Sequence, residues 1–171
     1  MKPEKLSDIK KELLHLTPQE LVDICLRLAK YRKENKELLT YLLYDAGDPA
    51  GYAEQVKAFL EDDFRSMQKH YYYSTKSLRK IIRLLNKYAK YTGSKQVEAE
   101  LLLWFCNNFL QYADLNTKHK PLQSLLIRQM EKIRKLLPRM EEDLQFDYQS
   151  EFDLLLQKVK NVRWVEKSLY L

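Results

Sequence analysis

Glu12-Leu13-Leu14-His15 is a Glu-x-x-His, a spacing that puts a carboxylate and an imidazole one turn apart on a helix. Di-iron bundles use two such motifs and two further glutamates, all facing inward. This chain has one, and His70 and His119 lack a similarly spaced carboxylate. No metal site and no cofactor is expected, and His15 reads as a helix-end residue beside the C-terminal dipole. Cys25 and Cys106 both sit among apolar neighbours and read as two buried structural thiols. A disulfide is not expected in a reducing compartment, and two cysteines are too few for a zinc centre.

Glu61-Asp62-Asp63 and Glu141-Glu142-Asp143 are acidic triplets. Consecutive residues point in different directions on a helix, so neither triplet makes a converging carboxylate pair. There is no phosphate-binding glycine loop and no Gly-x-Ser-x-Gly. The chain therefore reads as non-enzymatic. An enzyme with a site dispersed over several helices would need a deep polar pocket.

Charge is the feature that rises above background. Residues 1–75 carry twelve Lys/Arg and thirteen Asp/Glu, residues 76–139 fourteen and four, and residues 140–171 four and seven. Lys76, Arg79, Lys80, Arg83, Lys87 and Lys90 recur at three- and four-residue steps, as do Arg128, Lys132, Lys135 and Arg139. At about 100° per residue each set forms a stripe opposite an apolar face. Together they are a candidate anion-binding surface for phosphates, an acidic protein or lipid headgroups. The simpler reading is a pair of solvated helix faces neutralised by the acidic C-terminal segment. Twelve tyrosines are the second oddity, with Tyr71-Tyr72-Tyr73 just before the first stripe. Aromatic and basic residues together suit single-stranded nucleic acid, but packing of the rings is the preferred reading here.

The elements that must position these residues read as helices. Three glycines and five prolines among 171 residues leave few turns, and Leu, Lys, Glu, Gln and Arg favour helix. No segment alternates like a strand. Ser7 or Asp8 caps a first short helix striped with Leu6, Ile9, Leu13 and Leu14, and Thr17-Pro18-Gln19-Glu20 is a capping box with proline in the first turn. The next helix shows Leu21, Ile24, Cys25, Leu28 and Tyr31 on one face, and a third runs from about Glu34 to Tyr44. Asp45-Ala46-Gly47 stops it and Asp48-Pro49 starts a fourth, predicted to reach His70 and to pack Phe59 and Phe64.

Ser74 or Thr75 is the expected cap of the fifth helix, which ends at Gly93. Val97 to Tyr112 is the most apolar stretch, with Leu101 to Cys106 unbroken. It is too short to span a membrane and reads as a central buried helix. Pro121 opens a seventh helix and Pro138 ends or kinks it. One or two further helices complete the chain, with Phe146, Phe152, Leu155, Leu156, Val159, Val162 and Trp164 as their packing residues.

Short loops make neighbouring helices antiparallel. The expected fold class is all-α: antiparallel helix pairs around the central helix at 97–112, as a short HEAT-like α-solenoid or an irregular helical bundle. Residues 1–171 read as a single domain with an internal joint near Gly47. No signal-peptide pattern follows Met1, so the expected location is cytoplasmic, without a membrane role.

Lys10-Lys11-Glu12-Leu13-Leu14, Leu16-Thr17-Pro18-Gln19-Glu20-Leu21 and Lys33-Glu34-Asn35-Lys36-Glu37 resemble a recurrent pattern in bacterial proteins of unknown function. Ser94 to Leu137, with its Leu-Leu-Leu-Trp-Phe helix, Tyr-Ala-Asp turn and terminal Ile133-Arg134-Lys135-Leu136-Leu137, is similar to the later half of the same uncharacterised family. The resemblance implies an all-helical fold and transfers no activity. The expected function is a non-enzymatic helical scaffold that binds another protein. The alternative is nucleic-acid binding through the basic helix faces in 76–139.

Overall fold

The computed structural model describes residues 2–162, 164 and 165. Among these residues there are eight α-helices and no strand: α1 (Leu6–Leu14), α2 (Pro18–Tyr31), α3 (Lys33–Thr40), α4 (Pro49–Arg65), α5 (Tyr71–Thr92), α6 (Lys95–Tyr112), α7 (Lys120–Leu136) and α8 (Glu142–Val159). The fold is all-α. It divides into two compact units, residues 1–46 and residues 47–171, at the Ala46–Gly47 break.

In the first unit the capping box forms as its residues dictate. The Glu20 N–H donates to Thr17 Oγ1 at 3.3 Å, and Glu20 Oε2 accepts from the Thr17 N–H at 2.8 Å. α2 and α3 pack as a hairpin, locked by the Asn35 side-chain amide donating to Leu28 O at 2.9 Å. α3 passes into a single π-helical turn, Tyr41–Asp45. α1 is preceded by an extended Lys5 and has no side-chain cap, so Ser7 and Asp8 lie inside the helix rather than capping it.

In the second unit α6 touches α4, α5, α7 and α8. The expectation for residues 97–112 holds: Val97, Leu101, Leu102, Leu103, Phe105, Cys106 and Phe109 are all buried. α5 also lies against α7, and α4 against α5. Phe64 of α4 meets Trp104 edge-on at 5.3 Å and Phe105 at 5.8 Å. Asp48 caps α4 by accepting from the Gly51 N–H at 2.9 Å. Gly93 closes α5 in the left-handed region at φ 62°, and Ser94 caps α6 by accepting from the Val97 N–H.

Two boundaries and two packing assignments need correction. α4 ends at Arg65, five residues before His70, where the Ser66 hydroxyl donates to Asp62 O at 2.6 Å and turns the chain. α5 begins at Tyr71, not after Ser74 or Thr75. Both hydroxyls are buried and donate to Tyr71 O, at 3.1 and 2.6 Å, so they serve the helix interior. Phe146 and Phe59 are exposed rather than packed inside. Trp164 is half-buried and its Nε1–H donates to Leu115 O at 2.9 Å. The chain beyond Val165 lies outside the described residues.

Candidate interaction surfaces

The basic stripe on α5 stands opposite Leu78, Ile81, Leu85 and Ala89, which are buried. Lys76, Arg79, Lys80 and Arg83 line one surface depression of about 470 Å³, with Ser77 between them. Lys90 does not belong to it. It joins Arg128, Lys132 and Lys135 of α7 around a separate cleft of about 800 Å³, with Glu98 and Glu131 on the walls. The two helices thus bring four of the ten predicted cations together and leave four along α5.

The cations are not equivalent. Lys80 pairs with Asp63 at 2.8 Å, and Lys132 pairs with Glu98 at 2.6 Å while donating to Asn86 Oδ1 at 2.8 Å. Lys87 lies over the Tyr88 ring, 4.4 Å from its centroid. Lys76, Arg79, Arg83, Lys90, Arg128, Lys135 and Arg139 have no carboxylate partner among the described residues. Arg139 is in the single 3-10 turn after α7, where its carbonyl accepts from Lys95 Nζ at 2.6 Å.

The tyrosine run is more open than packing would make it. Tyr71, Tyr72 and Tyr73 are all exposed on the first turn of α5. Tyr71 lies between His70, at 4.4 Å, and His119, at 4.7 Å. Tyr72 and Tyr73 meet edge-on at 5.3 Å.

Glu100 of α6 forms a partly buried ion pair with Lys57 of α4. Lys57 Nζ donates to both Glu100 and Glu54. Burial alone pushes its ammonium down, but the hydrogen bonds to Glu100 and Glu54 and their charges outweigh it and hold the pKa above normal. Burial raises the Tyr148 phenol, which approaches Glu100 from α8. Among the described residues no three His, Cys, Asp or Glu gather closely enough to hold a metal ion. None of the described helices is long and apolar enough to cross a membrane.

The first unit presents a different surface, which the periodicity of its helices did not reveal. Tyr41 is the one buried residue among those described in residues 2–46. Ile9, Leu13, Ile24, Leu28, Leu42 and Leu43 are exposed, as are Leu6, Leu14, Val22, Leu26, Tyr31 and Tyr44. One groove of about 280 Å³ between α2 and α3 is lined by Cys25, Leu28, Ala29, Leu38, Leu39 and Leu42. A second, between α1 and α2, is walled by Ile9, Leu13, Leu16 and Ile24. Ile24, Cys25 and Leu28 fall within about 100° of arc, so both grooves open on the same side of α2. Cys25 is exposed, which corrects its reading as a buried thiol, whereas Cys106 is fully buried and its thiol pKa is pushed far up by that burial.

No protein-family model, no curated protein and no solved structure matches the chain.

Proposed function

We propose that the chain is a non-enzymatic interaction module that binds protein, with residues 1–46 as its docking element. The carrying observation is the uncovered apolar surface of residues 1–46, whose described residues bury one side chain, Tyr41, and expose a dozen large apolar ones. Large apolar side chains left exposed in such number mark a binding site. Cross-linking and mass spectrometry of the full chain with its cellular partners tests the reading. Cross-links from Lys10, Lys30 and Lys36 to a partner are expected, and their loss in a Leu28→Glu, Leu42→Glu variant with unchanged circular dichroism. Cross-links confined to residues 47–171, or unaffected by the variant, would sink it.

A second reading rests on a separate observation. Exposed Tyr71, Tyr72 and Tyr73 lead directly into Lys76, Arg79 and Arg83, which have no carboxylate partner among the described residues. Rings for base stacking beside unpaired cations suit a single-stranded nucleic acid. Fluorescence anisotropy of labelled single-stranded and duplex oligonucleotides across a salt series checks it. Each phosphate contact contributes about −0.7 to the logarithmic salt slope on a single strand. Arg79→Glu with Arg83→Glu should weaken binding and flatten the slope, and unchanged affinity counts against the strip.

A further inference from the structure

Residues 1–46 cannot be a finished folding unit. Fixing each residue costs on the order of 1–2 kcal/mol in backbone entropy, and units of roughly this size usually need staples or a partner. Here neither disulfide nor core is at hand: Cys25 is free and Tyr41 is the single buried residue described. Some other surface must cover α2.

We infer that the cover is a second copy of the same unit, docked through α2 in an antiparallel, two-fold arrangement. This rests on the reading of residues 1–46 as a protein-docking element and names its partner. Charge complementarity along one helix selects that partner. Leu21 and Leu28 are seven residues apart and share a line on α2, with Ile24 and Cys25 between them. Glu20 and Arg27 are also seven apart and share the flank of that seam. α2 spans fourteen residues, so its midpoint falls between Ile24 and Cys25.

A two-fold axis through that midpoint brings Glu20 of each copy within about half a helical turn of Arg27 of the other. The pairing is self-complementary, as a two-fold interface requires. Parallel docking would instead turn Glu20 and Arg27 toward the opposite flank of the partner helix, where Val22 and Ala29 lie, and would leave both charges unpaired. Glu20 uses Oε2 in the capping box, which leaves its other oxygen for the arginine. Residues 1–46 hold nine Lys/Arg and eight Asp/Glu, so two copies meet with almost no net repulsion. The small side chain of Cys25 at the crossing lets the two helices approach to the 8–10 Å expected of packed pairs.

The geometry places the chain's exposed thiol next to its own symmetry mate, and the buried Cys106 cannot substitute for it. The test is sedimentation of the full chain over a concentration series, with a short bismaleimide as cross-linker and hydrogen exchange as a third readout. A reversible dimer at micromolar concentration is expected, joined covalently through Cys25 and not joined in Cys25→Ser. Leu28→Glu should weaken it at least about tenfold, the effect of losing one buried seam contact to a charge. Arg27→Glu should weaken it less.

A dimer that Cys25 does not cross-link and Leu28→Glu does not weaken overturns the α2 interface. A monomer whose α2 amides exchange freely overturns self-association alone and leaves docking of a different protein standing. A monomer whose α2 amides are protected overturns both readings, because the seam is then covered within one chain.

Discussion

Glu20 shows how much one side chain settles locally. Its pKa lies below the ordinary carboxylate range, first because the Thr17 N–H donates to it and then because the Thr17 hydroxyl does. A depressed folded-state pKa means the folded form binds fewer protons than the unfolded one. The stabilisation is therefore full above the unfolded value of about 4.3 and is lost as pH falls through the lower folded value. Acid should fray the first turn of α2. The Thr17 and Glu20 amide resonances are expected to shift together with the Glu20 carboxyl on titration below pH ~4.3. Independent titration of amides and carboxyl would disconnect the box from the turn. Glu20, Thr17 and Pro18 were all legible in the sequence because capping is a contract among neighbours three residues apart. The two cysteines were not told apart, because each lies in an apolar stripe and only the long-range question of what covers the stripe separates them.

At the scale of the element, α6 is what the second unit is built on. Its apolar residues do not keep to one face, and the structure accommodates this by covering α6 with four other helices. Phe105 sits between Phe64 and Phe109, with ring centroids 5.8 and 6.2 Å away. Phe105→Ala should cost about 3–5 kcal/mol, read as a lowered denaturant midpoint with an unchanged slope. A loss under about 1 kcal/mol would mean that the site collapses around the deletion. The unbroken run from Leu101 to Cys106 made this helix legible, since nothing but burial suits it. The start of α5 was not legible for an equally physical reason. Ser74 and Thr75 have the chemistry of caps, and the same hydroxyls can serve the helix interior by donating back to Tyr71 O. His70 takes the capping place, its Nδ1 accepting from the Tyr72 N–H at 3.4 Å.

For the whole molecule, the two units carry unequal shares of the apolar burial, and stability should divide the same way. Residues 47–171 hold every fully buried large side chain from Leu60 to Ile133, whereas α1, α2 and α3 hold none. Helix periodicity, read from sequence, reports which residues share a face but not whether a partner covers it. That is why the stripes of α2 and α3 promised a core they do not have. Local opening free energies track buried contact, so a chain of this kind exchanges amide hydrogens on two scales. Amides of α6 should exchange only through global unfolding of residues 47–171. Those of α2 and α3 should exchange through local opening in dilute protein, and more slowly as concentration rises and their seam is covered. Raising the protein concentration adds RT ln(1 + [L]/Kd) to the folded form that binds and nothing to α6, whose surroundings lie in one chain. Hydrogen exchange at two concentrations thus separates the units in a single experiment. Slowing confined to α2 and α3 ties their order to association. Equal slowing in α6 would instead make the chain one cooperative body across Gly47.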